Sequence, residues 1–232
     1  MFLITKLKRI LYYTPINPYF IAKINLLKSM KYSSKFSKGT VIDIGCGKKP
    51  YETYFKTGSE NYYGIDYPDY SISQKFNMDI CADIQRLPIK NSIADTIICN
   101  QVLEHVPDTD ILFFEINRVL NKDGVLILTV PFFWGLHEEP RDYYRFTKYG
   151  LANYCMKYGL SVIEIRKLSG LFGMISQRIC DHIVNAIRKI DIRLLIVIIP
   201  ITFIIQCAGF FFDTLFNNYG DNLDWLLIAQ KK

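Results

Sequence analysis

The chain has no acidic residue before Asp43. Its first forty residues hold Lys6, Lys8, Arg9, Lys23, Lys28, Lys31, Lys35 and Lys38 and neither Asp nor Glu, so the formal charge of +6 is an arm of +8 on a remainder of −2. It also lacks any C-x-x-C pair: the six cysteines (46, 81, 99, 155, 180 and 207) are scattered. That pattern argues against a disulfide framework or a metal site and points to the cytoplasm. Met1 to Ile4 is too short for the apolar part of a signal peptide and is followed by bases, the reverse of the usual order. No internal repeat, low-complexity tract or Gly-x-x-x-x-Gly-Lys phosphate loop occurs. The basic arm interleaves its lysines with aliphatic residues and has no groove-reading motif, so nucleic acid is not an expected partner.

With 232 residues, half of them hydrophobic and 15% aromatic, one principal α/β domain with an appendage is expected, greasy enough to meet lipid or an apolar partner. From residue 40 strand and helix signals alternate. Strands are predicted at 40–45, 62–66, roughly 76–80, 94–99, 124–130, 160–168 and 224–229. One helix is predicted from a cap at Asp108 or Thr109 to Asn121–Gly124, and another from a Thr147 cap through about Tyr158. Such alternation implies a mostly parallel sheet covered on both faces, with ligands at the carboxyl ends of its strands.

The turn after the first strand, Gly45-Cys46-Gly47-Lys48-Lys49-Pro50, lacks the third glycine of a dinucleotide fingerprint and has Asp43 two residues before its first. A carboxylate there suits a cationic ligand and disfavours a pyrophosphate, which counts against a dehydrogenase. Asp66 ends the second strand, where an acid accepts from ribose hydroxyls, and Asp83 follows the third, within reach of an adenine amino group. Each acid alone reads equally as a helix cap or a solvated turn. Together they describe S-adenosylmethionine (AdoMet), whose sulfonium and amino groups are positive and whose ribose carries a diol.

The set Val41-Ile42-Asp43-Ile44-Gly45-Cys46-Gly47, Gly64-Ile65-Asp66, Ala82 to Pro88, Asp95 to Val106 and Arg118 to Leu126 resembles class I AdoMet-dependent methyltransferases, in particular the type-11-like group, over about residues 40–165. The resemblance implies a Rossmann-like three-layer sandwich with a seven-stranded, mostly parallel sheet and an antiparallel last strand, supplied by 224–229. It implies cofactor contacts from Asp43, Gly45, Cys46, Gly47, Asp66, Tyr67, Asp83, Ile84, Asn100 and Gln101, and no metal. Lys49 departs from it, standing where many members have a third glycine. The loop His137 to Thr147 is similar to one in methyltransferases associated with bacterial surface-polysaccharide genes.

A hydroxyl acceptor must lose a proton, and His137 is the candidate base because its ordinary pKa is near neutrality. The alternative is that His137, Asp142 and Arg145 form a structural ion-pair lid. Trp134, Asp142, Tyr143 and Arg145 are the candidate acceptor contacts. His105 is expected to shape its loop.

Two apolar stretches flank this domain. Residues 3–13 and 20–30 place Leu3, Leu7, Ile10 and Leu11, then Phe20, Ile24, Leu27 and Met30, at helical spacing; they suit either a membrane surface or packing on the domain. Residues 194–212 are nineteen without a charge, long enough to span a bilayer. One crossing would strand the last β-strand on the wrong side, leaving a covering helix, a shallow insertion broken near Pro200, or half of a hairpin with 169–190. The organisation read here is a basic amphipathic arm over 1–38 and a methyltransferase domain over 39–232, with a hydrophobic helical insertion at 169–218. The expected reaction is methyl transfer to O or N of a small or lipid-linked acceptor, a glycan precursor among them, in the cytoplasm or at the inner membrane face. A quinone-type lipid methyltransferase and a catalytically silent AdoMet-binding scaffold are the alternatives; oligomeric state is not legible.

Overall fold

The computed structural model describes residues 12–67, 77–216 and 220–232. Of the predicted N-terminal helix, Leu3, Leu7, Ile10 and Leu11 lie outside them, as does the start of the strand expected at 76–80. Among the described residues two compact units are present: 29–67, 77–132, 136–166 and 225–232 form one, and 12–28, 133–135, 167–216 and 220–224 the other.

The first unit is built on a seven-stranded sheet of order β3-β2-β1-β4-β5-β7-β6. Its strands are β1 (Thr40–Ile44), β2 (Asn61–Asp66), β3 (Ile80–Cys81), β4 (Ala94–Asn100), β5 (Leu120–Pro131), β6 (Leu160–Lys167) and β7 (Asp224–Lys231). β1 pairs in parallel with β2 and β4, β2 with β3, and β4 with β5, and the last strand is antiparallel, as the sequence led one to expect. The apolar runs of β1, β4 and β5 are nearly continuous because both of their faces are covered: Ile44, Ile97, Cys99, Leu126 and Leu128 are fully buried. The strand order reverses between β1 and β4, so their carboxyl ends flank the switch point where such sheets bind ligands.

The helices of this unit begin where their caps dictate. The Asp108 carboxylate accepts from the Ile111 N–H at the start of a helix over Thr109–Val119, and the Thr147 hydroxyl accepts from the Gly150 N–H at the start of one over Lys148–Lys157. The first ends earlier than predicted: Leu120 is fully buried and pairs with Ala94, which draws the backbone into β5 four residues sooner. β3 is likewise shorter and later, because the Asp79 carboxylate just before it accepts from the Gly64 N–H and pairs with Lys49.

In the second unit, Leu171–Ile190 and Leu195–Leu215 form two helices, here α1 and α2, packed as an antiparallel hairpin. Two buried glutamines tie the N-terminal segment to it. Gln206 accepts from the Ile21 N–H and donates to the Asn17 carbonyl, while Gln177 accepts from the Ala22 N–H and donates to the Pro18 carbonyl. Phe20, Ile21, Ala22, Met174 and Leu223 close a small core beside them. Of the three options for this stretch, the one with a break near Pro200 is not seen: α2 runs through it, the lost backbone bond falling on Ile196, close to the helix start. Within α2 only 17% of the most apolar window is buried, so this helix does not serve as a covered core element.

Candidate active site

The turn after β1 gets its shape from its glycines. Gly45 (φ +68°) and Gly47 (φ +50°) sit in the left-handed region; a Cβ on Gly45 would come 2.3 Å from Val102, whereas one on Gly47 would meet nothing within 4 Å. Gly47 therefore borders open space, and its N–H donates to Asp66 Oδ2 at 2.6 Å. Asp66 Oδ1 accepts from the Tyr67 N–H. An ionised carboxylate offers about four acceptor positions, so Asp66 keeps capacity for a ligand diol.

Asp43 is buried, and its Oδ2 accepts from the Tyr62 hydroxyl at 2.5 Å. Burial pushes its pKa up to about 7, helped by the nearby Asp66 charge, while the Tyr62 bond and Lys49 oppose the rise. A cation brought near Asp43 favours its ionised form. Cys46 is buried, and its thiol is pushed up to about 12 by burial first and the surrounding carboxylates second; it is a wall of the turn, not a nucleophile.

Lys49 stands at φ +51°, a conformation that explains why glycine suits this position. Its buried ammonium reaches Asp79 Oδ2 at 2.5 Å, and Asp79 also accepts from the Gly64 N–H at 2.7 Å. Sequence reasoning missed Asp79 and Tyr62; an acid beside the short third strand was the available signal for the first.

Asp83 is exposed and follows β3, its Oδ1 taken by the Gln85 N–H in a local turn; Ile84 packs on the main core. After β4, the Thr129 hydroxyl donates to Asn100 Oδ1 and accepts from Gln101 Nε2, and Gln101 has φ +55°. These bonds hold the β4 turn against β5.

The His137 loop is tied together by Asp142. Its carboxylate is bidentate to Arg145 (2.6 and 2.7 Å), accepts from the His137 N–H at 3.0 Å, and lies 3.2 Å from His137 Nδ1. Its pKa is lowered to about 2, chiefly by the Arg145 bond. The Tyr143 N–H donates to the Glu104 carbonyl, and its ring is exposed. The His105 and His137 rings meet edge to face at 4.8 Å. Trp134 belongs to the other unit, half-buried against its small core, with the Arg178 guanidinium over its ring.

Residues 42–128 match the family model for a methyltransferase domain. An uncharacterised protein of Methanocaldococcus jannaschii is 33% identical over 108 residues, 45% of each chain, so the match spans less than half the length of that curated relative. Among solved structures, the [4+2]-cyclase SpnF (TM-score 0.56, 16% identity) shares the fold over 89% of this chain and 79% of its own. The phosphoethanolamine N-methyltransferase 2 of Haemonchus contortus, solved with AdoMet (TM-score 0.54, 17% identity), does so over 97% of this chain and 59% of its own. At these identities the likeness is one of fold. The family match, the strand order and the acid-lined glycine turn agree, and residues 42–128 are a class I AdoMet-dependent methyltransferase domain.

Proposed function

We propose that the whole chain transfers the AdoMet methyl group to an oxygen or nitrogen of a small or lipid-linked acceptor presented at a membrane surface, a glycan precursor being one such acceptor. Asp66 takes the ribose diol, Asp83 the adenine amino group and Asp43 the cationic end, with Gly45, Cys46 and Gly47 forming the backbone wall and Tyr67, Ile84, Asn100 and Gln101 the rest of the cofactor site. The observation that carries this is the open space over Gly47 beside the Asp66 carboxylate, a cradle a side chain would fill. Transfer to an activated methyl carbon needs positioning above all; for a hydroxyl acceptor, His137 is the group that acts on the acceptor proton, oriented by Asp142, while Tyr143 and Arg145 are the proposed acceptor contacts.

The lipid part of the proposal rests on the 169–218 insertion. α2 is long and apolar enough to cross a membrane, yet β6 and β7, before and after the insertion, lie in one sheet, which argues against a single crossing. Ile196, Val197 and Ile204 are exposed along it, and Arg188, Lys189 and Arg193 sit at the helix junction. This is the make-up of a hairpin lying in the headgroup region of anionic lipid, and we assign the basic 1–38 arm to the same surface.

Calorimetric titration with AdoMet, followed by incubation with labelled AdoMet and cell extract and separation of lipid-linked from soluble products, tests both parts. Asp66→Ala is expected to weaken AdoMet by about 10- to 100-fold, the worth of hydrogen bonds to a charged group. Absence of AdoMet binding by the unaltered chain would sink the proposal, and label confined to soluble product would remove the lipid-linked acceptor. Bound AdoMet without any labelled product would favour a silent scaffold.

A further inference from the structure

Glu104, His105 and His137 each bring one ligand atom to a common point, all three atoms lying within 4.8 Å of one another. Two stretches of chain more than thirty residues apart make this cluster. Glu104 is fully buried on the short helical turn Leu103–His105 after β4, and the loop carrying His137 is clipped to it by the Tyr143 N–H.

The spacing is wider than that of hydrogen-bond partners. His105 Nε2 is 3.7 Å from Glu104 Oε1 and 3.8 Å from Glu138 Oε2, beyond the roughly 3.2 Å limit of a hydrogen bond. Bonds of about 2.0 to 2.2 Å to a four-coordinate ion put neighbouring ligand atoms roughly 3.3 to 3.6 Å apart, so atoms now within 4.8 Å of one another draw in by about an ångström to meet on one ion.

The partners behind the ligands fit the same reading. His105 Nδ1 is 2.5 Å from the Arg141 carbonyl, which fixes the proton on Nδ1 and turns the Nε2 lone pair toward the carboxylates. His137 Nδ1 lies beside Asp142, and Nε2 is the ring nitrogen that would face the ion. A histidine whose second nitrogen donates to a carbonyl or carboxylate is the usual support of a metal-bound imidazole. The charges agree as well: Glu104, Glu138 and Asp142 surround the two rings, with Arg145 as the cation paired among them.

We propose that Glu104, His105 and His137 bind a divalent transition-metal ion such as Zn2+, in a two-histidine, one-carboxylate site with open positions. Its consequence rests on the methyltransferase reading. An acceptor hydroxyl on an open position is acidified and gives its proton to solvent; its oxygen then forms the new bond to the methyl carbon as the C–S electron pair returns to sulfur, leaving a thioether. With the ion in place, His137 acts on the acceptor through the metal.

The test titrates the metal-free full chain with Zn2+ by calorimetry and follows Co2+ substitution by visible absorption, each in the unaltered chain, His105→Ala, His137→Ala and Cys81→Ser. AdoMet is titrated into the same samples as a measure of fold and cofactor site. One ion per chain is expected, with affinity falling by about 100-fold or more in either histidine variant, since loss of a supporting residue alone costs 10- to 100-fold, and unchanged in Cys81→Ser. The inference is overturned by absence of stoichiometric binding, by binding that survives both histidine substitutions, or by binding that follows the exposed Cys81 thiol. If AdoMet binds and no metal does, the metal site falls and the methyltransferase reading stands; if the metal binds and AdoMet does not, the reverse holds.

Discussion

Leu227 and Ile204 are both branched aliphatic residues in long apolar stretches, yet Leu227 in β7 is fully buried and Ile204 in α2 is 66% exposed. The difference comes from the backbone. A strand has to find partners for its N–H and C=O groups in neighbouring strands, and β7 finds them in β5 and β6, so its side chains are carried into the middle of the fold. A helix satisfies its own backbone and leaves its side chains without a prescribed neighbour. Equal hydrophobicity thus builds a core in one unit and an exposed apolar surface in the other.

The comparison is broken most directly by truncating the buried member. Leu227→Ala leaves a cavity among Trp225, Ala229 and the rest of the main core, and is expected to cost about 2 to 5 kcal/mol, read as a lowered urea midpoint at unchanged slope. A loss under about 1 kcal/mol would mean that this strand is not part of the cooperative core.

A second contrast lies within the first unit, between acids that differ in surroundings. Asp142 is held low, to about 2, by Arg145, and Asp43 is pushed up to about 7 by burial. Between about pH 4 and 7 the unfolded chain has lost the Asp43 proton that the native chain keeps, so this residue makes stability fall as pH rises through that window. Asp43→Asn, which still accepts from Tyr62, is expected to match the unaltered chain in urea stability near pH 4 and to exceed it by a growing margin up to pH 7. A difference independent of pH would remove Asp43 as the titrating group. On the proposed cofactor arrangement, AdoMet affinity rises with pH up to about 7 and levels off above it.

These contrasts also mark what the chain reveals before it folds. The turn of Gly45 and Gly47 with Asp43 and Asp66 was legible because each residue sits beside a strand end and the sheet brings successive strand ends together. Lys49 read as a departure, since its answer, Asp79, is thirty residues away and the left-handed φ they jointly stabilise leaves no mark in the sequence. Glu104 and His105 were legible as parts of a family motif. Their meeting with His137 was not, because it depends on the register between two loops. The apolar run of α2 was visible at once, but its exposure was not: length and hydropathy are the same for a core helix and a membrane-facing one.

That last ambiguity yields the smallest effect on stability. Ile196 and Ile204 project from α2 with most of their surface exposed, so the double substitution Ile196→Glu and Ile204→Glu removes little packing and is expected to shift stability by no more than about 0.5 kcal/mol at each site. Its effect belongs elsewhere. On the proposed membrane role, partition of the full chain into vesicles of anionic lipid should drop sharply, because two carboxylates replace two exposed apolar side chains. Replacing the exposed Lys28, Lys31, Lys35 and Lys38 by Gln gives a graded comparison, since it takes away four bases, adds no acid and leaves the packed Phe20–Ala22 segment in place. Partition unchanged by the two glutamates would show that α2 does not meet lipid. A large loss of stability would show that a protein surface covers these side chains, which would move α2 to the same side of the comparison as β7.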